Sequence, residues 1–191
     1  GMERVSGVQL DMGAYEFDVN SLAQVTCTAG DDIIHMIPGT PGGADHRVSV
    51  NGGTYVRYDA SVISTIQLDG LTGEDTLSIH GKATTENVTF DETSVLVNEA
   101  SVYDIFGDNF NNVYVYSNGG DDTATIAGTL GNDDLYVNEG YSYLRGDSRS
   151  FLNYVKGFDS VTFDAGVGGT DRAYIYDGAG NDIMTAGETQ M

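Results

Sequence analysis

One cysteine, two prolines, no tryptophan and only eight basic residues stand in this 191-residue chain, and each shortage closes an option. Cys27 alone can form neither an intrachain disulfide nor a multi-cysteine metal centre. On its β-patterned stretch it reads as a small buried apolar side chain. No apolar run approaches the ~20 residues that cross a bilayer, so no membrane insertion is expected. Eight lysines and arginines against 29 acids give a formal charge of −21, which repels phosphate backbones and anionic lipid, so nucleic acid is not an expected partner. No Gly-x-Ser-x-Gly elbow is present to support nucleophilic hydrolysis. His35, His46 and His80 are the only histidines; His35 and His80 fall near the same repeat position, yet no cysteine or second local histidine completes a zinc set. No charged-then-apolar leader opens the sequence, Gly1 before Met2 reads as a cloning remnant, and the signal peptide of an exported protein would lie upstream.

What is abundant points one way. Hydrophobic residues make up 40% of the chain, enough for a packed core rather than disorder. They are mostly Val, Ile, Leu, Tyr and Phe, which suit a pleated sheet, and the 26 glycines supply tight turns. The expectation is an all-β chain.

Self-similarity narrows this further. Asp75-Thr-Leu-Ser-Ile-His-Gly81, Asp122-Thr-Ala-Thr-Ile-Ala-Gly128 and Asp171-Arg-Ala-Tyr-Ile-Tyr-Asp177 share an acidic start and alternating apolar positions, at spacings of 47 and 49 residues. Ile66/Leu68, Val113/Val115 and Val161/Phe163 precede them in step, and Val88/Phe90, Leu135/Val137 and Ile183 follow. Asp32 to Met36 reads as an upstream copy of the first motif and Arg47 to Val50 as its next strand, which gives nearly four copies. Val95 to Phe106 and Tyr141 to Val155 are the variable legs. Evenly spaced short strands could build a sandwich or barrel, but neither requires copies at a fixed spacing, whereas a solenoid does. The fold expected is therefore a right-handed parallel β-solenoid of about four imperfect 47–49-residue repeats over residues 19–191, with a junction or cap at 1–18. Equivalent side chains one copy apart should lie over one another. Each copy could be one wide coil whose variable leg loops outward, or two coils of about 24 residues. Tyr114, Tyr136, Tyr143 and Tyr174 alternate with core positions and should ladder on an outer face, more as structure than as sugar platforms.

The turns are the most informative local feature. Gly30-Asp-Asp32, Gly73-Glu-Asp75, Gly119-Gly-Asp-Asp122, Gly131-Asn-Asp-Asp134, Gly168-Gly-Thr-Asp171 and Gly178-Ala-Gly-Asn-Asp182 each precede a strand. Asp and Gly are the default residues of a corner in which carboxylates accept backbone N–H groups. Calcium, which takes six to eight oxygens, is the functional alternative. These turns resemble the calcium-binding RTX repeats, whose pattern is Gly-Gly-x-Gly-x-Asp followed by an apolar residue; Gly178, Gly180, Asn181, Asp182 and Ile183 match best. The resemblance implies Ca2+ at Asp121, Asp122, Asp133 and Asp182, and the stacked acidic turns add Asp134 and Asp171 as candidate ligands. It departs from the family in spacing, since strands here recur every 11 or 12 residues rather than turns every nine.

Two further stretches carry a resemblance. Val8-Gln-Leu-Asp-Met-Gly-Ala-Tyr-Glu-Phe17 is similar to the closing phrase of bacterial right-handed β-helix domains of the pectate-lyase-like type. Gly157-Phe-Asp-Ser-Val161 with Gly169-Thr-Asp-Arg-Ala173 is similar to the Asp/Gly-rich repeats of very large secreted bacterial proteins. Together they imply an extracellular or cell-surface setting and no activity; the function expected of the solenoid itself is a non-catalytic structural or adhesive module, whose partner would be a glycan or a cell-surface protein. A polysaccharide lyase or hydrolase of the pectate-lyase-like fold is the rival, as is an RTX-like calcium-dependent folding module. Against the enzyme, paired aspartates recur in every copy where a catalytic constellation should be singular, and only Arg145 with Arg149 clusters any basic charge. An open solenoid end is an unpaired sheet edge, so the expectation is either that further repeats follow in the full protein or that the ends self-associate.

Overall fold

The computed structural model describes residues 21–166, 168–176 and 178. The 1–18 junction, Asp182 and the turn from Ala179 onward lie outside the described residues. Sixteen strands run through the described chain: β1 (Leu22–Thr26), β2 (Ile33–Ile37), β3 (His46–Val50), β4 (Val56–Tyr58), β5 (Thr65–Asp69), β6 (Thr76–His80), β7 (Asn87–Phe90), β8 (Val95–Glu99), β9 (Tyr103–Asp108), β10 (Asn112–Tyr116), β11 (Thr123–Ala127), β12 (Asp134–Asn138), β13 (Tyr141–Arg145), β14 (Leu152–Lys156), β15 (Ser160–Asp164) and β16 (Arg172–Ile175). A 3-10 turn at Asp147–Arg149 joins β13 to β14. The protein is an all-β solenoid of about four stacked coils.

Two sheets enclose the core. Sheet I has seven strands in the order β1-β5-β9-β8-β7-β11-β15, and sheet II has nine, β16-β12-β13-β14-β10-β6-β2-β3-β4. Along each strand alternate side chains turn inward, as the period of two requires. Ile34, Met36, Leu77, Ile79, Val113, Val115 and Val155 from sheet II meet Ile66, Leu68, Phe90, Val97, Ile105 and Ile126 from sheet I, all without exposed surface. Each such side chain contributes roughly 1.5–3 kcal/mol. Cys27 is buried among them, and burial, with Asp32, Asp75 and Asp69 behind it, pushes its thiol up to about 11. It is the inert apolar filler expected.

The path of the chain corrects the expected stacking. Parallel neighbours lie 36–43 residues apart, as in Ile34, Leu77 and Val113 side by side in sheet II. The 47- and 49-residue copies instead fall on opposite sheets: β6 is in sheet II, β11 in sheet I and β16 in sheet II. The reason is the number of crossings. A copy such as β5 to β9 holds five strands, and the chain changes sheet at β5/β6, at β6/β7 and again on entering β10. Three changes are odd, so the next copy begins on the other face.

The variable legs neither loop outward nor make a second coil. They are β8 with β9 and β13 with β14, which run back through the sheets as antiparallel strands, forming the meanders β7-β8-β9 and β12-β13-β14. The same arrangement, β2-β3-β4, also corrects the upstream copy. Asp32 to Met36 opens a meander and so matches the start of β7 and of β12, one strand later than expected, while β1 takes the place of β6.

Candidate functional site

Three polar features could carry function: the acidic corners, a buried cluster around Glu86, and the outer face of sheet II.

At most corners an acid stands immediately before the strand, and before β10 Asn111 takes its place. The N–H of Asp32 donates to Oδ1 of Asp75 at 2.8 Å, that of Glu86 to Oδ1 of Asp122 at 2.7 Å, and that of Asp133 to Oδ1 of Asp171 at 2.9 Å. Two of these ladders continue by a further rung, with Asp75 N–H donating to Asn111 Oδ1 at 3.0 Å and Asp122 N–H to Asp159 Oδ2 at 2.9 Å. The free side of the carboxylate closes its own turn: Thr28 N–H and Oγ1 bond Asp32 Oδ2 at 2.8 and 2.7 Å, and Thr129 N–H bonds Asp133 Oδ2 at 2.6 Å. A chain leaving one sheet for another exposes N–H groups that no strand partner can reach, and a buried one would otherwise go unpaired. The acid supplies that partner. These bonds, led by the Thr28 hydroxyl, hold the Asp32 carboxyl below its usual range, whereas burial raises that of Asp75, whose Oδ2 is buried without a partner.

The six aspartates read as calcium ligands are thereby separated in role. Asp122, Asp133 and Asp171 belong to the ladders. Asp121 points to solvent. Asp134 bonds Arg145 at 2.9 Å and lies 3.9 Å from Arg172. Asp182 is outside the described residues. Among the described residues no three His, Cys, Asp or Glu side chains gather around a common point. With oxygens aimed at backbone, hydroxyl and guanidinium donors, Asp122, Asp133, Asp134 and Asp171 fit capping as they are arranged. His35 lies opposite Ser78 in the β2/β6 register, and His80 stacks on Tyr116 at 4.8 Å.

The buried cluster was not legible as a site in the sequence. Glu86 has no exposed surface; its Oε1 accepts the Lys82 N–H at 3.0 Å and the Tyr103 hydroxyl, while Oε2 has no partner. Burial pushes its carboxyl up to about 7, with Asp122 and Glu99 adding repulsion and the two hydrogen bonds opposing. Lys82 Nζ sits 3.6 Å from Glu99 Oε2 and 3.4 Å from Gly39 O. His46 packs edge-on against Tyr103; Gly39 N–H donates to its Nδ1 at 2.9 Å, so Nε2 carries the proton and donates to Ile63 O at 2.9 Å. Burial lowers its pKa and keeps the ring neutral. A cleft of about 200 Å3 reaches Glu99 and Tyr103 from outside, but Glu86 is sealed behind them. The one sequence signal is that Thr84-Thr85-Glu86 replaces the Gly-x-Asp of the other corners.

On sheet II the outward residue of five adjacent strands is tyrosine. Tyr114, Tyr154, Tyr143, Tyr136 and Tyr174 are successive register partners. Tyr136 stacks on both Tyr143 and Tyr174 at 4.6 Å, so those ring faces cover one another and offer edges rather than platforms. The row loosens between Tyr143 and Tyr154, at 6.4 Å. There a cleft of about 280 Å3 opens, lined by both rings with Arg145, Arg149 and Phe151.

Compared with family models, with curated proteins and with solved structures, the chain matches none.

Proposed function

We propose that this chain is a non-catalytic structural module of a secreted or cell-surface bacterial protein, a stiff spacer that extends or displays what it is joined to. The observation that supports this reading most is the corner ladder. The acids that recur from copy to copy, the only paired carboxylates abundant enough to suggest acid–base chemistry, accept N–H groups of their own turn or of the adjoining coil. A general acid or base must reach its substrate, and Asp75, Glu86 and Asp122 have no exposed surface while Asp32 and Asp133 have 2% each. The secreted setting rests on the resemblance of the turns and of Gly157 to Val161 to repeats of large exported proteins.

The test is turnover. Incubation with pectate, alginate, chondroitin and neutral β-glucans, with and without calcium, should release neither unsaturated products nor reducing ends. Release from any of them that survives repurification would replace this reading with an enzymatic one.

A further inference from the structure

The cleft in the tyrosine row lies where the basic charge of the molecule is concentrated. Arg145, Arg149 and Arg172 meet at this corner, and Lys156 projects from the adjoining outward row, so that four of the eight basic residues lie on one part of sheet II. Asp134 bonds Arg145 and lies near Arg172, and Asp147 lines the same corner as Arg149, whose side chain is exposed. A cluster of guanidiniums on a chain of −21 is selective, because the remainder of the surface has few groups that attract an anion.

The local fold presents these groups. Gly146 lets the chain turn tightly over the buried ring of Phe151, where a Cβ would come within 2.5 Å of Phe151 Cε1, and the 3-10 turn that follows carries Arg149 out into solvent. Arg145 is held by Asp134 Oδ2 at 2.9 Å and by the Tyr136 hydroxyl at 3.0 Å through a single nitrogen, Nη2. Among the described residues no partner takes its other N–H groups, of which a guanidinium has five in all. The cleft beside it, about 280 Å3 and bounded by Asn112, Tyr143, Arg145, Arg149, Phe151 and Tyr154, is smaller than the pockets of roughly 300–1,000 Å3 that take whole drug-sized ligands. It suits one ring of a longer chain.

We propose that this cleft binds a negatively charged sugar unit of an extended glycan, with Arg145 and Arg149 on its carboxylate or sulfate and the Tyr143/Tyr154 pair against its ring. The inference goes beyond the spacer reading by giving the module a ligand of its own. Carboxylate and sulfate share the chemistry that planar guanidiniums recognise with paired hydrogen bonds, and separate probes distinguish them.

Isothermal titration of the whole chain with trigalacturonate, with a sulfated κ-carrageenan oligosaccharide and with neutral β-1,4-galactotriose is the experiment. At least one anionic probe should bind with a Kd below 1 mM and at least ten times more tightly than the neutral one. Arg149→Ala, at an exposed position, should weaken that binding at least fivefold with circular dichroism unchanged, and Arg149→Lys should restore part of it. Arg57→Ala, on the far edge of sheet II, should leave it intact. No binding by either anionic probe, equal binding of the neutral one, or an Arg149→Ala protein that binds as well as the parent would overturn the proposal. Failure here leaves the spacer reading standing, whereas cleavage of a bound probe would end the spacer reading and keep the site.

Discussion

The Tyr103 hydroxyl donates to Oε1 of Glu86, joining the last strand of a meander to the corner that begins it and placing a carboxyl with no exposed surface beside a phenol. Burial raises both groups, so each is more stable uncharged in the folded protein than in the unfolded chain.

Glu86 therefore makes stability depend on pH in a stated direction. Its folded pKa of about 7 lies above the ordinary 4.5, so folding favours the protonated form. The contribution is fully present below pH 4.5, is lost as pH rises toward 7, and then levels off at a loss on the order of 3 kcal/mol. His46 acts oppositely, because its lowered pKa removes stability as pH falls below 6.5. The Glu86→Gln variant isolates the first effect. Urea unfolding of both proteins from pH 5 to 8 should show the variant gaining on the parent as pH rises, and a difference that stays flat across that range would refute the assignment.

The corner ladder gives a second expectation. Asp122→Ala removes the acceptors for Glu86 N–H and for Ser117 Oγ, leaving a buried donor unpaired, and should cost about 2–4 kcal/mol. Asp122→Asn keeps an amide oxygen for the N–H and should cost less than half as much. Denaturant midpoints for the two variants decide it; equal losses would mean that the charge, and not the hydrogen bond, does the stabilising.

Close stacking of the turns is tested at neighbouring glycines. Both Gly119 and Gly120 have positive φ, but a Cβ at Gly120 would stand 2.4 Å from Thr84 O in the adjoining turn while one at Gly119 meets nothing within 4 Å. Gly119→Ala should cost about 1 kcal/mol for its backbone conformation alone. Gly120→Ala should cost at least about 1 kcal/mol more, as overpacking does. Thermal melts in which the two variants coincide would show that the turns are less tightly stacked than this.

Calcium offers a fourth test. Since the corner carboxylates face N–H donors, titration to millimolar Ca2+ should leave the melting temperature unchanged. A rise of several degrees would mean that the turns rearrange around the ion and that the resemblance to calcium-binding repeats extends to chemistry.

The sequence made the strands and their corners legible because both are local. Alternation shows at Leu77/Ile79 and Val113/Val115, and an acid marks the entry to strands such as β2, β6, β11 and β12. Which strands stack was not legible, because register depends on how often the chain changes sheet, and a turn such as 117–122 has the same residues whether it leads into sheet I or sheet II. Glu86 is hidden in the sequence for a related reason. In sequence it is a degenerate corner without its glycine, and only the return of β9 brings Tyr103 against it. The arginine cleft was half visible: Arg145 and Arg149 are neighbours in the chain, but Tyr143 and Tyr154 become neighbours only through the antiparallel register of β13 and β14.

Alternation of copies between the sheets sets a parity rule for how such a chain can lengthen. Duplicating one five-strand unit upstream of β12 would carry every later residue to the opposite side of the body, so that Tyr136, Tyr143 and Arg149 would emerge where β7 and β8 now lie. Duplicating two units would return them to the original side. A protein that uses one side to meet a partner can thus grow in steps of two copies without losing it, and each odd step hands the partner a different surface.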